Sequence, residues 1–178
     1  TIENLDKEQI HHTGTYASPE EQEKILIEDV KGIRVAIMAY TYGTNGMEQY
    51  VPEEDLSYLV NYIDLDRIKK DIKKAKEENA DLIVVALHWG TEYTREPSKS
   101  QKKLAEQVFE AGADIILGGH PHMVQPMERK TITTEDGIEK EVFIIYSMGN
   151  FISDQRAQYK DSGIIVNIDV EKDFDTGE

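Results

Sequence analysis

The pattern of apolar and polar residues along the chain alternates between strand-length and helix-length segments. Continuous apolar runs at 33–41, 81–89 and 113–119 are typical of strands buried on both faces. Between these runs, apolar residues recur every three or four positions, which predicts amphipathic helices. The resulting order of strand, helix, strand, helix and strand predicts an α/β fold with parallel strands.

Both connecting helices have start signals in the sequence. Asp64 is a candidate N-cap for the first helix, and Ser98 with Gln101 forms a capping box before the second, which Gly112 ends. A third, short helix is predicted after Ser18, where Pro19 takes the first helical position. The apolar stripe of the first connecting helix consists of Leu65, Ile68, Ile72 and Ala75, and that of the second of Leu104, Val108 and Ala111.

The last third of the chain is predicted to be rich in strands. Residues 141–152 and 163–172 are predicted strands that add a hairpin or meander to the parallel part. In the second segment apolar and polar residues alternate, so it is expected to be half exposed and either antiparallel or at an edge. Residues 41–64 are predicted to be a long loop with one or two helical turns.

Three of the five histidines follow the ends of predicted strands. His88 ends one strand, and His120 and His122 follow the next, 32 residues later. This spacing is that of one βαβ unit, whose parallel strands lie about 4.8 Å apart when they pair directly. The three imidazoles are therefore expected on one edge of the sheet, where open α/β sheets bind ligands.

This group of histidines favours a metal site over a structural role. Neutral imidazole is the commonest metal ligand near neutral pH, and Gly118 and Gly119 are expected to let the backbone turn sharply before His120. A single histidine at a strand end is more often a hydrogen-bonded structural residue, but three that converge favour a metal. His11 and His12 lie in a polar stretch and are interpreted as loop residues.

Three histidines do not complete a two-metal hydrolytic site, because divalent ions of this kind also bind carboxylates. The local candidates are Glu92, Asp154 and Asn150. Glu92, four residues after His88, is the candidate catalytic residue, which would meet an activated water or the substrate; the alternative is a solvated loop charge. For Asn150, which follows Gly149, a structural turn is the favoured role.

Composition narrows the function classes. The 178 residues carry a net charge of −15, which argues against nucleic acid as a partner, since phosphate binding needs a basic face. Cysteine is absent, which excludes a thiol nucleophile, a zinc–thiolate site and disulfides. No apolar run reaches the roughly 18 residues of a membrane span. The polar start without Met suggests a piece of a longer protein.

Three segments carry a family resemblance: LHWGTEY, GADIILGGHPHMVQP and YSMGNFI, in this order. With them the chain closely resembles CapA-type poly-γ-glutamate capsule proteins, a branch of the calcineurin-like metallophosphoesterase superfamily, from about Gly14 to Val170. The resemblance implies a four-layer α/β/β/α metallophosphatase-like sandwich with two mixed sheets between helices. It also implies that His88, His120 and His122 ligate a dinuclear centre of divalent ions such as Mn, Zn, Fe or Mg.

The superfamily's other metal ligands lie in an N-terminal half, in G-D and N-H motifs that this chain does not contain. Residues 1–178 therefore resemble the C-terminal part of a single domain, and the missing N-terminal half would be a partner. The resemblance further implies capsule polymer biosynthesis or export, together with other membrane subunits. It implies a location outside the cytoplasm, with an anchor in a segment absent from this chain.

Two functions remain open from the sequence. The chain is part of a metal-dependent hydrolase, acting on a phosphoester or on poly-γ-glutamate, or it is a non-catalytic surface component that binds the polymer or partner subunits. An acidic surface repels polyglutamate, so metal ions would have to supply the attraction.

Overall fold

A six-stranded sheet organises the part of the chain that the computed structural model describes, residues 2–175. The strand order is β1-β2-β3-β4-β6-β5. In chain order, the elements are α1 (Ile2–Lys7), α2 (Pro19–Gln22), β1 (Leu26–Val30), β2 (Ile33–Thr41), 3-10 turns at Met47–Tyr50 and Glu53–Asp55, α3 (Leu65–Glu77), β3 (Leu82–His88), α4 (Lys99–Ala111), β4 (Ile115–Gly119), β5 (Met127–Thr133) and β6 (Glu139–Ile145).

The central strands of this sheet are parallel, as the sequence predicts. β2, β3, β4 and β6 run in one direction, and the edge strands β1 and β5 pair antiparallel with their neighbours. The register places Thr41 beside His88, and His88 beside Gly119. Three strand ends therefore meet at one edge of the sheet, which we call the rim.

Helices α3 and α4 cover one face of the sheet and contact each other. Both crossovers move in the same direction along the strand order, and right-handed connections then place their helices on the same face. Both predicted N-caps form, since Asp64 accepts a hydrogen bond from Arg67 N and Ser98 makes a complete capping box with Gln101. The predicted α/β class and both connecting helices are confirmed. The core lies between helices and sheet and includes Ile68, Ile72, Val108, Phe109, Val85, Leu87, Ile116 and Ile144.

The opposite face of the sheet is apolar but only partly covered. On strands β2, β3 and β4, every second side chain turns away from the helices, and most of these side chains are half-buried, while Ile115 is buried. Parallel strands that are apolar on both faces normally have both faces covered. The half-exposed residues are Val35, Ile37, Ala39, Val84, Ala86 and Leu117.

The prediction of a strand at 163–172 is wrong. Apart from an isolated bridge between Gly149 and Gly163, this segment joins no strand. It lies against the sheet instead, where Val166 and Ile168 line a cavity with Leu82 and Phe143. The alternation of apolar residues therefore reflects side-chain packing without a backbone ladder. β6, predicted at 141–152, ends at Ile145 and forms its hairpin with β5.

The close packing at the rim depends on a glycine in β4. A Cβ on Gly118 would lie 2.0 Å from the carbonyl oxygen of Tyr146 and 2.8 Å from Nε1 of Trp89. That indole nitrogen donates a hydrogen bond to the same carbonyl at 3.0 Å. Only a residue without a side chain lets these groups approach. A Cβ on the neighbouring Gly119, by contrast, would meet no atom within 4 Å.

These adjacent glycines provide a matched test of rim packing. Gly118→Ala should lower the free energy of unfolding by about 3 kcal/mol, because its new methyl group meets backbone atoms that cannot move aside easily. Gly119→Ala should change it by less than about 0.5 kcal/mol, because the space is open. Urea unfolding followed by circular dichroism measures both. Similar values for the two variants would contradict the packing described here.

Candidate metal centre

The rim brings together the strand-end histidines. His88 is the last residue of β3, and His120 directly follows β4, whose final residue pairs with His88. The ring centroids of His88 and His120 lie 4.7 Å apart in an edge-to-face arrangement. The centroid of His122 lies 6.3 Å from that of His120. The βαβ spacing thus places three imidazoles in one cluster, which we call the histidine cluster.

The turn after β4 differs from the sequence prediction in one respect. The residues with positive φ are His120 at 99° and His122 at 57°, whereas neither Gly118 nor Gly119 has one. Residues with side chains rarely adopt positive φ, and such strain is concentrated at functional sites, where it is worth about 1–3 kcal/mol per residue. The buried Pro121 between them restricts the turn further. The histidines themselves therefore make the turn.

Hydrogen bonds fix which ring nitrogen of His88 is free. Nδ1 of His88 lies 3.0 Å from Oγ1 of Thr41, and that hydroxyl donates its own proton to the Gly43 carbonyl at 2.8 Å. The threonine oxygen is therefore the acceptor, and Nδ1 of His88 carries the proton. Nε2 is left with its lone pair, which is the arrangement of a metal-ligating histidine.

His122 is held in the same way by Asn150. Nδ1 of His122 lies 2.8 Å from Oδ1 of Asn150, while the amide nitrogen of Asn150 donates to the Lys160 carbonyl at 2.7 Å. The second bond fixes the orientation of the amide, so its oxygen faces His122 and accepts a proton from Nδ1. Asn150 is thus not a simple turn residue. It orients a histidine and leaves Nε2 of that ring available.

Glu92 is the carboxylate that reaches the histidine cluster. Its Oε1 lies 3.8 Å from Nε2 of His122. In the tautomer set by Asn150, this separation brings two electron-pair donors face to face, which a proton or a cation between them would stabilise. Asp154, the other acidic candidate, does not join the histidine cluster. Its side chain is 95% exposed and pairs with Arg156.

Partial burial lowers the pKa of two of the rings. Burial is the main cause that lowers the pKa of His88, and the neighbouring His120 and His122 lower it further. Burial also lowers the pKa of His120, against the opposing charge of Glu92. Neutral imidazole is the form that binds metal.

Two tyrosines at the rim were not predicted from the sequence. Tyr42, the first residue after β2, packs against His120 with centroids 4.5 Å apart and against His88 at 5.6 Å. Tyr93 stacks on His122 at 5.9 Å. The available signals were the position of Tyr42 directly after β2 and that of Tyr93 in the loop that follows His88. His11 and His12 lie elsewhere, as predicted, and contact Glu28 and the Thr15 carbonyl.

The residues of the histidine cluster fit a divalent metal in their chemistry but not as a complete site. Three imidazoles and one carboxylate are the ligand types that zinc and similar ions prefer, and two of the rings have Nε2 free. Yet among residues 2–175 no three His, Asp or Glu side chains are arranged to hold one metal ion. Metal ligation by His88, His120 and His122 therefore stays a prediction.

The pKa directions predict the titration of the metal-free chain. In the presence of a chelator, His88 and His120 should titrate below the ordinary value of 6.5, as followed by NMR of the imidazole carbon-bound protons. The unfolded chain then takes up these protons first, so the free energy of unfolding should fall as the pH drops below about 6.5. His120→Ala should move the His88 midpoint upward, because it removes both burial and a like charge. Midpoints above 6.5 for both rings would contradict this geometry.

Comparison with known proteins agrees with the resemblance seen in the motifs. The chain matches the family described as "Bacterial capsule synthesis protein PGA_cap" over residues 1–155. It is 34% identical over 169 residues to the capsule biosynthesis protein CapA of Bacillus anthracis, covering 93% of this chain and 38% of that protein. It is 30% identical over 167 residues to the PGA biosynthesis protein CapA of Bacillus subtilis (strain 168), covering 93% and 40%.

Among solved structures, the NAD nucleotidase NadN of Haemophilus influenzae has a TM-score of 0.47 at 15% identity, covering 78% of this chain and 26% of that one. This likeness is too weak to inform the chemistry of the chain. The chain spans about two fifths of the length of the two Bacillus proteins. With the family match extending over most of its residues, the chain belongs to the bacterial capsule synthesis protein PGA_cap family.

Proposed function

We propose that this chain forms part of a metal-dependent hydrolase that acts in the biosynthesis or export of a poly-γ-glutamate capsule. The observation that carries the proposal is the histidine cluster, with three imidazoles on one rim and the Glu92 carboxylate 3.8 Å from His122. The capsule role follows from the family and from relatives named for capsule and PGA biosynthesis. The substrate is a phosphoester or the polymer itself.

His88, His120 and His122 would hold divalent ions in this proposal. Such ions, when bound, polarise the scissile bond and activate water near neutral pH. The protein's own contribution is orientation. Thr41 and Asn150 hold two imidazoles with Nε2 free, and Tyr42 packs against the other side of His88 and His120. Rings locked in this way need little reorganisation when a ligand binds.

Glu92 would act on water or substrate rather than as a structural residue. Its side chain is 47% exposed, so a small molecule reaches it from solvent. A carboxylate beside the reacting group accepts a proton and orients the attacking water, which typically contributes about 10²–10⁴-fold to a rate.

The second candidate is a non-catalytic component that binds the polymer or partner subunits. The observation in its favour is that residues 2–175 hold no three acidic or imidazole side chains arranged around one ion. In this case the histidine cluster would contribute to binding without turnover.

The half-exposed face of the sheet supports a partner for the domain. Ala39, Ala86 and Leu117 belong to an apolar surface that parallel sheets normally cover. We propose that the N-terminal half of the same domain packs there, bringing the remaining metal ligands to the rim. The chain's coverage of about two fifths of its relatives leaves room for such a half.

The proposed location is outside the cytoplasm, at the membrane or cell surface with other capsule-synthesis subunits, because a capsule polymer lies outside the cell. No helix within residues 2–175 has the length and apolar character needed to cross a membrane. Fractionation of a strain that carries an epitope on the full-length protein tests this location, and recovery in the cytosol would contradict it.

Metal binding should depend on the second half of the domain. The 178-residue chain alone should bind zinc or manganese weakly at micromolar concentration, because neutral imidazoles lack the carboxylates that hold two ions together. Co-expression with the N-terminal half should give tight binding of two ions, and should slow amide exchange at Ala39 and Ala86. Titration calorimetry and hydrogen exchange measure these effects. Tight two-site binding by the chain alone would contradict the half-domain proposal.

Glu92→Gln separates a catalytic role from a solvated charge. In the metallated two-half protein, hydrolysis of a phosphodiester or of poly-γ-glutamate should fall about 100-fold, with metal content near wild type. His120→Ala should lower metal content and hydrolysis together. Glu96→Gln, an exposed carboxylate in the same loop, is the matched control and should change neither.

Elemental analysis beside the two hydrolysis assays gives the readout. If the fully metallated wild type hydrolyses neither substrate, yet strains with His120→Ala lose their capsule, the hydrolase proposal fails and the binding component takes its place. If Glu92→Gln keeps full activity, Glu92 has no catalytic role.

A further inference from the structure

Two loops extend beyond the histidine cluster. The first, residues 89–98, follows β3 and carries Glu92 and Tyr93. The second, residues 150–162, is closed at its base by a hydrogen bond from Asn150 N to the Ser162 carbonyl at 3.0 Å. We call them the first and second rim loops. Because the Asn150 side chain binds both His122 and the Lys160 carbonyl, it ties the second rim loop to the histidine cluster.

Each rim loop places a positively charged side chain over a tyrosine ring of the other loop. Lys160 of the second loop places Nζ 3.3 Å from the ring centroid of Tyr93 in the first. Arg95 of the first loop places its guanidinium carbon 4.6 Å from the ring centroid of Tyr159 in the second. Each contact is a cation–π interaction, which orients a charge without neutralising it. Tyr93 also stacks on His122, so the tyrosine ring that contacts the Lys160 ammonium contacts the histidine cluster as well.

These two cations differ from most others in the chain. Ten lysine and arginine side chains form ion pairs with carboxylates, including Arg156 of the same loop, which pairs with Asp154. Within residues 2–175, neither Arg95 nor Lys160 has a carboxylate within ion-pair distance. In a chain with a net charge of −15, positive groups that remain unpaired beside the histidine cluster are available to an anion.

We propose that Arg95 and Lys160 form a recognition site for the carboxylates of an anionic polymer, which they align with the histidine cluster. This inference rests on the proposed function and assigns its specificity-determining residues. Tyr93 and Tyr159 hold the cations in place, so little side-chain entropy is lost when the polymer binds. From the sequence, metal ions were the expected source of attraction for polyglutamate; the two rim cations add a second source.

The arrangement fits a polycarboxylate better than a single phosphate. Arg95 and Lys160 are two separate charges, each on its own tyrosine and on its own loop. A chain with one carboxylate per repeat can contact such charges one after the other. A lone phosphate is bound best by donors that converge on one centre, such as an arginine fork with backbone N–H groups. Arg95 is exposed to solvent and Lys160 is half-buried.

The test is binding of a fluorescently labelled γ-linked glutamate oligomer to the metal-free 178-residue chain, followed by anisotropy in chelator at low salt. Arg95→Gln with Lys160→Gln should weaken binding about tenfold and flatten its salt dependence. The charge-conserving pair Arg95→Lys with Lys160→Arg should bind within about twofold of wild type. Lys130→Gln is the matched control, because Lys130 also lies over a ring, that of Phe109, but on β5 beside Val142 rather than at the rim.

Each outcome decides the inference. A neutral γ-linked glutamine oligomer should not bind; if it binds as well as the anionic one, charge recognition is wrong. Three results would overturn the proposal. The double Gln variant binds like the wild type, Lys130→Gln loses as much affinity as the double variant, or the wild type does not bind at a millimolar concentration of the chain. Inorganic phosphate and unlabelled oligomer are compared as competitors of the labelled oligomer. If phosphate displaces the label at a lower concentration than the unlabelled oligomer does, the site is assigned to phosphate instead. Circular dichroism confirms that each variant is folded.

The assay also separates this inference from the proposed hydrolase. Binding is measured without metal and without turnover. If hydrolysis is absent but charge-dependent binding is intact, only the hydrolase proposal fails. If hydrolysis is intact but the double variant binds the oligomer like the wild type, only the recognition-site proposal fails.

Discussion

The close approach of β4, β6 and the indole of Trp89 is the constraint on which the rim depends. Gly118 lets the Tyr146 carbonyl lie where a side chain would otherwise be, and Trp89 donates to the same carbonyl. Trp89 follows His88 directly, and Gly118 precedes the turn that carries His120 and His122. A contact between backbone and indole therefore fixes the separation of the strand ends, and the separation of the imidazoles follows from it.

Hydrogen bonds to neighbouring residues then set which ring nitrogen is free in two of the three imidazoles. Thr41 is the last residue of β2 and Asn150 lies in the loop after β6, yet each accepts the Nδ1 proton of a rim histidine. Both oxygens can act as acceptors because their donors are used elsewhere, on the Gly43 and Lys160 carbonyls. The free lone pairs on Nε2 are thus a consequence of hydrogen bonds at the other ring nitrogen. Such a pattern is typical of metal-ligating histidines, whose second ring nitrogen donates to an oxygen acceptor.

Local signals in the sequence were sufficient for the elements that surround the site, but not for the contacts that complete it. The Ser98 capping box and the apolar run of β3 reflect interactions within a few residues. Strand β1 was missed because its turn, Lys31–Gly32 with both residues at positive φ, lacks the usual Asn-Gly or Asp-Gly signature.

The false strand at 163–172 shows the converse, since alternation records which side chains are covered but not whether the backbone pairs. Thr41 meets His88 across 47 positions of the chain, and nothing in the neighbours of either residue marks the pair. Such roles follow from the register of parallel strands, which a local pattern predicts only in outline.

Charge distribution rather than total charge governs what such a surface can bind. A net charge of −15 lowers the concentration of any polyanion near the protein at long range, but salt at about 0.15 M screens that field within about 8 Å. At contact distance the local groups dominate, and the positive ones at the rim are Arg95 and Lys160, held on aromatic rings without carboxylate partners among the described residues. Ten of the 20 lysine and arginine side chains are neutralised in ion pairs, and within residues 2–175 Arg95 and Lys160 are unpaired cations beside the imidazoles. In the proposed recognition, the place of these fixed charges beside the imidazoles, rather than the net charge of the chain, would decide where the polymer binds.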